Sequence, residues 1–591
     1  MIKTTLNPYV RIAMVLMVAP MGLLAQSSVK QEIKRDVPKG WHLMDQKKDG
    51  YYGIALDRAY ELLKGKKSKT VLVAIIDSGV DTTHEDLKPI LWHNPNEIPG
   101  NGIDDDHNGY VDDVYGWNFL GGKDGRNVKQ DSYEGARVYF KFKEKYGDQI
   151  PDESKLSPEE QQDVKMYKKI KSKLEGDARE ATTNVLFLKN PIERMAASDS
   201  ILRIALGKET YTGDELQRYK AKTSEESRAK GVMMALYLGF QMTEVTNKIL
   251  MDESQEFYDG ERLKMEAIVK EPEDFRGEIV QDNYGDITDR FYGNPDVMAS
   301  TPMHGTHVAG IIGAVRNNGK GIDGIADNVK VMVVRAVPQG DEHDKDIANA
   351  IRYAVDNGAQ IINMSFGKSY SPEKKWVDDA VKYAESKNVL LVHAAGNESW
   401  NLDSTDNYPN PHYGNDLKNT ASNWITVGAT SDPMIGQHLM DGTPINSLTA
   451  YFSNYGKREL DVFAPGDKIY STLPGGNQYG DLPGTSFSSP IVAGLAALLL
   501  SYYPDLTAKQ LKYIIEKSTT HFRDLKVKKP GTDEDVSLSD ISKTGGVVNA
   551  YEAVKLASNL KSDKNPSNPD ASPTAPKPKL PKAKFKPAKK G

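Results

Sequence analysis

The sequence of 591 residues contains no cysteine, and this absence excludes several kinds of chemistry. Without thiols there are no disulfide bonds, no thiolate nucleophiles and no cysteine-based zinc sites. The chain also lacks a strong excess of either charge, because 76 Lys and Arg stand against 82 Asp and Glu and leave a formal net charge of −6. This balance argues against a nucleic-acid partner. Stability outside a cell would have to come from packing and from bound ions.

Beyond the N-terminus, no segment is expected to have transmembrane length. Lys3 and Arg11 accompany an apolar run from Ile12 to Ala25, which is typical of a signal peptide cleaved near residues 25–26. A membrane anchor is the alternative, but the run is shorter than the ~20 residues that span a bilayer, and Pro20 interrupts it. We therefore expect an exported protein (periplasmic, cell-surface or extracellular) with no stable membrane span.

Three short motifs, far apart in the chain, each present a polar residue where catalysis would need one. They are Val-Ala-Ile-Ile-Asp-Ser-Gly-Val-Asp around Asp77, His-Gly-Thr-His-Val-Ala-Gly-Ile around His304 and Gly-Thr-Ser-Phe-Ser-Ser-Pro around Ser486. Asp77 ends an apolar strand, His304 opens a helix and Ser486 follows a glycine-marked turn. Singly, such residues are common as turn aspartates, surface histidines and helix caps. Together they predict a serine protease site.

In that site Ser486 is the predicted nucleophile, because a hydroxyl becomes reactive when an adjacent base removes its proton. His304 would be the base and would return the proton to the leaving amine. Asp77 would hold the imidazole in the required tautomer and stabilise the imidazolium that forms.

The motifs, in the order Asp, His, Ser, resemble those of the subtilisin-like (subtilase) family of serine endopeptidases over residues 50–120 and 290–557. The resemblance implies hydrolysis of polypeptide substrates through an acyl-enzyme. It also implies that Asn397, in His-Ala-Ala-Gly-Asn-Glu-Ser, offers its side-chain amide to the oxyanion. The resemblance implies that the substrate main chain pairs with an edge strand formed by Ser365, Phe366 and Gly367. One wall of the primary specificity pocket would be formed by Ala394, Ala395 and Gly396. Gly340 would belong to the strand end that faces the edge strand.

Asp341 and Glu342 follow Gly340 and allow two interpretations. Their carboxylates could favour basic side chains a few residues before the scissile bond, or they could form a solvated acidic turn. The sequence leaves both open.

Alternating strand and helix patterns predict the fold class. Five apolar, β-branched runs are typical of buried parallel strands, and amphipathic helical patterns lie between them, as in Lys345–Asn357 and Lys375–Lys387. This alternation predicts an α/β fold with a doubly wound, mainly parallel sheet and a site at the carboxyl ends of its strands. The five runs are Val71–Ile76, Val329–Val337, Gln360–Met364, Val389–Val392 and Trp424–Val427.

The long interval between Asp77 and His304 predicts an inserted helical subdomain. Ser157-Pro158-Glu159-Glu160 is a capping box with Pro at the first helical position, and so predicts a helix start. The insertion is either a structural elaboration covering one edge of the enzyme, or a lid, substrate selector or intramolecular regulator. The first predicted helix has Met166, Tyr167, Ile170 and Leu174 facing inward, and Thr212 with Glu215 and Thr223 with Glu226 repeat the capping signature.

The final residues are rich in Lys and Pro, a composition that cannot bury a core and predicts disorder. This tail is either simply solvated or weakly attached to an anionic cell envelope. The expected layout is a signal peptide at 1–25, a short N-terminal segment at 26–50, the catalytic domain at 51–122 and 289–559, the helical insertion at 123–288 and the disordered tail at 560–591.

The acidic loop Asp-Asp-Asp-His-Asn-Gly-Tyr-Val-Asp-Asp, residues 104–113, is a candidate structural Ca²⁺ site. Oxygen ligands at alternating positions and a central glycine fit a calcium loop, and all-oxygen ligation favours Ca²⁺ over zinc or copper. Tyr115 stands where an EF-hand has its bidentate Glu, so Asp113 would have to compensate. A metal-free loop of Asx turns is the alternative. The candidate ligands are Asp104, Asp106, Asn108, Tyr110, Asp112 and Asp113; catalysis itself is expected to need no cofactor.

The leading interpretation is an exported serine endopeptidase, with broad protein degradation favoured over narrow processing in which the insertion limits access. A binding protein built on an inactive protease scaffold would have lost a triad or oxyanion residue, and none is missing. An esterase or lipase would carry a Gly-x-Ser-x-Gly elbow and the order Ser, Asp, His, which this chain lacks.

Overall fold

The computed structural model of the chain describes residues 37–147, 152–240, 242–299, 302–414, 416–438, 444–522 and 524–560. The predicted signal peptide and almost all of the Lys/Pro-rich tail lie outside these residues. The structure therefore does not test the prediction that the tail attaches to a cell envelope.

A seven-stranded sheet forms the centre of the fold, in the order β2-β3-β1-β4-β5-β6-β9, and every neighbouring pair in it is parallel. The predicted α/β class with a mainly parallel sheet is confirmed. The strands of this sheet are β1 (Val71–Asp77), β2 (Gly116–Asn118), β3 (Val329–Arg335), β4 (Ile361–Met364), β5 (Leu390–Ala394), β6 (Trp424–Thr430) and β9 (Val462–Pro465).

Three small antiparallel pairs complete the strands. They are β7 (Gln437–His438) with β8 (Pro444–Ile445), β10 (Ile469–Leu473) with β11 (Gln478–Leu482), and β12 (Val527–Lys528) with β13 (Asp535–Val536).

Helices cover both faces of the large sheet. Fifteen α-helices lie in the described ranges: α1 (Gln46–Asp49), α2 (Leu56–Leu63), α3 (Glu134–Tyr146), α4 (Pro158–Leu206), α5 (Gly213–Arg218), α6 (Ser224–Gly239), α7 (Asn247–Glu266), α8 (Phe275–Val280), α9 (Met303–Gly313), α10 (Asp344–Asp356), α11 (Lys374–Ser386), α12 (Thr485–Tyr502), α13 (Ala508–Lys517), α14 (Leu538–Ile541) and α15 (Ala550–Ala557). Short 3₁₀ turns lie at Trp41–Leu43, Lys88–Ile90 and Glu153–Lys155.

Strand β1 separates two apolar cores, because successive side chains of a strand point to opposite faces. Val73 and Ile75 belong to the core that contains α9 and α12, whereas Ala74 and Ile76 belong to the core that contains α10 and α11. Both faces of the strand are therefore buried. Such burial explains why its sequence is continuously apolar rather than alternating.

Helix α12 is the most apolar element of the first core. Among the described residues it is the one helix long and apolar enough to cross a membrane, and 89% of it is buried inside the protein.

The order of the strands reverses at β1, since the chain continues to β2 and β3 on one side of it and to β4 on the other. In open α/β sheets a crevice forms at the carboxyl end of the strands at such a point. Asp77 is the last residue of β1, so it lies at this crevice.

Helices α3 to α8 all belong to the insertion between β2 and β3. The capping boxes predicted at Ser157 and Thr212 are both present, whereas Thr223 caps α6 without the reciprocal bond. Tyr167, Ile170 and Leu174 are buried as predicted, but Met166 is 38% exposed. The prediction for Met166 was wrong because it lies one position off the stripe formed by the other three, and a helix turns by about 100° per residue.

A buried network of charges joins the end of the insertion to α10. Arg276 of α8 forms bidentate ion pairs with Asp346 of α10 and with Asp282, and Lys345 also contacts Asp282. The side chain of Arg276 is only 2% exposed, and those of its two aspartates are at most 1% exposed. Removing one member of such a network leaves a buried charge without its partner.

We expect Arg276→Leu to lower the free energy of unfolding by about 3–5 kcal/mol, because Asp346 loses its ionic partner in the interior. Arg262→Leu is the control: Arg262 lies on α7, is 51% exposed and pairs only at 3.8 and 3.9 Å, so it should cost no more than about 0.5 kcal/mol. Urea unfolding followed by circular dichroism measures both. Equal losses in the two variants would contradict a structural role for the network.

Candidate active site

Asp77 and His304 form the central contact of the site. Nδ1 of His304 lies 2.7 Å from Oδ1 of Asp77, although the two residues are far apart in sequence. The Asp77 carboxylate is 3% exposed and the imidazole is 35% exposed. One ring nitrogen is thus held by the carboxylate, and the imidazole remains accessible from the crevice.

The motif around His304 allows α9 to approach β1 closely. A Cβ atom on Gly305 would lie 2.1 Å from the carbonyl oxygen of Gly79 and 3.2 Å from Oδ1 of Asp77, so only glycine fits there. The hydroxyl of Thr306 accepts a hydrogen bond of 2.8 Å from the Asp81 N–H. These two contacts fix the first turn of the helix against the end of the strand.

Electrostatics favour the charged form of the histidine. Burial alone would lower the pKa of His304, but the charge of Asp77 and its hydrogen bond outweigh burial and raise this pKa above its usual value. The carboxylate therefore stabilises an imidazolium, as a catalytic base requires once it has accepted a proton.

Ser486 lies in the first turn of α12, directly after the Gly484 turn. Its Oγ donates a 3.0 Å hydrogen bond to the carbonyl oxygen of Ser365, and no hydrogen bond joins it to His304. The ring of the next residue, Phe487, packs against the imidazole of His304 with the centroids 5.5 Å apart. Rotation about one side-chain bond would be needed to turn the hydroxyl toward the histidine.

The side chain of Asn397 is oriented by the turn that precedes Ser486. Its Oδ1 accepts hydrogen bonds from the N–H and the hydroxyl of Thr485, at 2.9 and 3.0 Å. The amide nitrogen consequently faces the other way, and it would lie 3.7 Å from a Cβ atom on Gly484. The main-chain N–H of Ser486 is also free of an intrahelical partner, as in the first turn of any helix. Two donors are thus available beside the predicted nucleophile.

A slot one strand wide adjoins these residues. Strand β1 ends at Asp77, whereas the chains that extend its two neighbours continue past it, to Gly340 beyond β3 and to Gly367 beyond β4. Two strand spacings separate those extensions, about 10 Å. This width accommodates one extended peptide. Such a peptide could form main-chain hydrogen bonds with both sides of the slot.

Gly340, Ser365, Phe366 and Gly367, four of the predicted substrate-contacting residues, lie on the two extensions that border this slot, whereas Ala394, Ala395 and Gly396 lie one strand further along the sheet. Ser365, Phe366 and Gly367 directly follow β4, and Ala394, Ala395 and Gly396 lie at and beyond the end of β5. Sequence reasoning missed the residues opposite Gly367. Lys368 forms paired main-chain hydrogen bonds with Tyr408 at 2.8 and 2.9 Å, and the amide of Asn407 donates to the Ala395 carbonyl at 3.2 Å. No local motif marks residues 407 and 408, because only the tertiary fold brings them here.

Neither interpretation of Asp341 and Glu342 fits the structure. Asp341 accepts a 2.8 Å hydrogen bond from the N–H of Glu134, the first residue of α3. Glu342 is 2% exposed, and burial raises its pKa to about 8, against the lowering effect of Lys368. The two carboxylates lie beneath the insertion instead of in solvent or in the slot. The sequence could not reveal this, because the contact depends on the way α3 docks.

The acidic loop assembles differently from a linear calcium-binding motif. Carboxylate oxygens of Glu97, Asp106 and Asp113 lie within 4.8 Å of one another. Glu97 was not among the predicted ligands, because it precedes the acidic run. Asp112 was predicted, but its carboxylate turns away and accepts hydrogen bonds from the N–H groups of residues 100–102. Asp104 accepts from the N–H groups of residues 108 and 109.

Two further predicted ligands take part in hydrogen bonds within or near the loop. The amide of Asn108 donates to Asp106 and Asp113, and the hydroxyl of Tyr110 donates to the Arg290 carbonyl oxygen. Oε2 of Glu97 is buried without a hydrogen-bond partner among the described residues, and none of the three clustered carboxylates forms an ion pair with them. Three convergent carboxylates with an unsatisfied oxygen fit a hard divalent cation.

Comparison with known proteins gives a consistent result. A family model described as "Subtilase family" matches residues 68–539. Thermitase of Thermoactinomyces vulgaris is 34% identical over 283 residues, 47% of this chain and 85% of thermitase. The thermophilic serine proteinase of Bacillus sp. (strain AK1) is 43% identical over 199 residues, 34% of this chain and 42% of that proteinase.

A third relative, the major intracellular serine protease of Bacillus subtilis (strain 168), is 37% identical over 228 residues, 38% of this chain and 63% of that protease. The chain thus spans less than two thirds of the length of two of these three relatives. The family match nevertheless covers most of the chain, including all three motifs. The chain belongs to the subtilase family and is a serine-type endopeptidase.

Proposed function

We propose that this endopeptidase hydrolyses peptide bonds in a broad range of extended polypeptides through Asp77, His304 and Ser486. The observation that carries the proposal is the 2.7 Å contact between Asp77 and His304. Ser486 lies close to this pair, because the ring of the residue that follows it, Phe487, packs against the imidazole. The strand-wide slot supports a substrate that binds through its main chain.

In the first half of the reaction Ser486 Oγ leaves the Ser365 carbonyl, transfers its proton to Nε2 of His304 and attacks the scissile carbonyl carbon. Asp77 holds Nδ1 of the imidazole and stabilises the resulting imidazolium. The amide of Asn397 and the N–H of Ser486 bind the oxyanion; loss of one such donor typically costs on the order of 10²–10³ in turnover. The C–N bond then breaks as His304 protonates the departing amine.

In the second half a water molecule gives a proton to His304 and attacks the acyl-enzyme. Collapse of the second oxyanion breaks the bond to Ser486 Oγ, which recovers its proton from the imidazolium. The side chains of the substrate take no part in these steps. Recognition through main-chain hydrogen bonds tolerates many side chains, and this supports degradation over narrow processing.

A narrower processing role is the second candidate, and the position of the insertion favours it. Helices of the insertion contact both sides of the slot, at Gln339 on one side and near Tyr370 on the other. A folded protein would have to present an extended segment beneath these helices before cleavage.

We also propose that Glu97, Asp106 and Asp113 bind a structural Ca²⁺ ion. Subtilases generally bind structural calcium, and the three carboxylates offer oxygen ligands of the required kind. The loop lies between β1 and β2, so the ion would stiffen the chain that follows Asp77.

Export is inferred from residues 1–25 alone, which lie outside the described residues. One relative is named as an intracellular protease, so membership of the family does not determine the compartment.

Ser486→Ala should abolish peptide-bond cleavage and leave the fold intact, because alanine removes only the nucleophilic oxygen. Digestion of a complex peptide mixture, read by mass spectrometry, measures this loss and the breadth of cleavage in the native chain. Circular dichroism provides the control for folding. Cleavage by the folded variant at the native rate would overturn the assignment of Ser486.

The rate constant kcat/KM should rise with pH, with a midpoint above the ordinary histidine pKa of about 6.5, because the base must be neutral and Asp77 raises its pKa. Asp77→Asn should move the midpoint to lower pH and reduce kcat by about 10⁴. Profiles between pH 5 and 9 measure both effects. A flat native profile would exclude His304 as the base.

Calcium should raise the melting temperature, and chelation should lower it. A free calcium concentration of one hundred times the Kd would add about 2.7 kcal/mol to the free energy of unfolding. Glu97→Gln should abolish this calcium-dependent shift. Asp112→Asn is the matched control from the same loop: it should lower the melting temperature equally with and without calcium. A lost shift in Asp112→Asn with a retained shift in Glu97→Gln would contradict the proposed ligands. Differential scanning calorimetry provides the measurement.

A further inference from the structure

Helix α7 of the insertion runs along one side of the substrate slot. The side-chain amide of Gln339, next to Gly340, donates a hydrogen bond to the main-chain oxygen of Glu256 on α7. One turn further on, a Cβ atom on Gly260 would lie 3.2 Å from the hydroxyl of Tyr133. The helix is thus in contact with the strand extension that the substrate would use.

Helix α4 of the insertion reaches the opposite side of the slot. The ammonium group of Lys173 lies 5.0 Å from the ring centroid of Trp400, and Lys169 pairs with Asp406 at 3.5 Å. Tyr370, three residues after Gly367, packs with residues of α4 in one apolar cluster. Helices of the insertion therefore contact the chain on both sides of the slot.

Glu253 lies seven residues before Gly260 on α7, and because a helix completes nearly two turns in seven residues, the two share the face that meets Tyr133. The charge of Glu253 contributes to the raised pKa of His304, and the charge of His304 acts in turn on Glu253. Its half-buried carboxylate forms no hydrogen bond or ion pair with any described residue. The surrounding charges are those of Asp252 and Glu256 on the same helix, and Lys129 lies 4.0 Å from Glu256.

Burying the charge of an unpaired carboxylate costs free energy, because desolvation disfavours the charged form and no described residue pairs with it. Burial, then the charges of Glu256 and Asp252, raise the pKa of Glu253 to about 8, with His304 acting against them. A cation supplied by a ligand would complete this site.

The geometry of an extended substrate directs one particular side chain toward α7. Successive side chains of a strand point to opposite faces. In the proposed binding mode the residue that contributes the scissile carbonyl points into the pocket beside Ala394, Ala395 and Gly396. The residue before it, here called the penultimate residue, must point to the opposite face, and the proposed binding mode places His304 and Glu253 on that side of the slot.

We propose that Glu253 is a specificity-determining residue that binds the cationic side chain of a penultimate Arg or Lys. This inference rests on the proposed function of the site and adds one preference to its otherwise broad recognition. Asp341 and Glu342, which the sequence had offered for basic side chains, are engaged beneath α3 and do not compete for this role.

Two peptides that differ only in a penultimate Arg or citrulline test the proposal, because citrulline has nearly the same shape without the charge. With the native full-length chain we expect kcat/KM to favour Arg by about tenfold or more, as for other desolvated charge pairs. Glu253→Gln should reduce this ratio to about one. Asp252→Asn, an exposed neighbour on the same helix, should retain the preference.

Two further readouts separate recognition from a merely structural role. Glu253→Lys should invert the preference, so that a penultimate Glu is cleaved faster than a penultimate Gln. In the native chain the Arg-to-citrulline ratio should rise between pH 7 and 9, because Glu253 gains its charge there.

A native ratio near one, or a ratio unchanged in Glu253→Gln, would overturn the inference and leave the proposed function intact. Cleavage of both peptides by Ser486→Ala would instead overturn the proposed function itself.

Discussion

The hydrogen bond between Asp77 and His304 is the contact on which the rest of the site depends. It joins the end of β1 to the first turn of α9, and it forms only because Gly305 permits the close approach. The same strand end opens the slot, since β1 stops where its neighbours' extensions continue. One structural fact, the termination of β1 at Asp77, thus accounts for both the position of the carboxylate that holds His304 and the space beside it.

The placement of the reactive groups follows from the reversal of strand order at β1. A crevice at the carboxyl ends of the strands is a general property of such sheets, and here α12 begins at the same crevice. Its first turn carries Ser486 and fixes the amide of Asn397 through Thr485. The free N–H groups and the dipole of this helix favour negative charge at its N-terminus. The fold therefore supplies a polar environment suited to an oxyanion before any substrate binds.

Local sequence patterns predicted the parts of the molecule that are determined locally. Five of the seven strands of the large sheet, the capping boxes at Ser157 and Thr212, and the ends of β1 and β4 could be read from periodicity and motifs, whereas β2 and β9 were not predicted. Contacts between distant segments could not be predicted in this way. Glu97 joins Asp106 and Asp113 only after the chain turns back, Asp112 points away despite its position in the acidic run, and the docking of α3 buries Glu342. Glu253 has no motif at all.

The insertion is better understood as a fixed wall of the slot than as a swinging lid. Its two ends are tied to the catalytic domain by buried charges: Lys368 contacts Glu134 and Asp344 at 2.8 and 2.9 Å, and Arg276 binds Asp346. Opening at either end would expose or separate these pairs, and breaking a buried pair is strongly unfavourable. A wall held in this way can act on substrates through its chemistry. In the proposed binding mode this wall carries the carboxylate of Glu253, and it can therefore add a side-chain preference to recognition through the main chain.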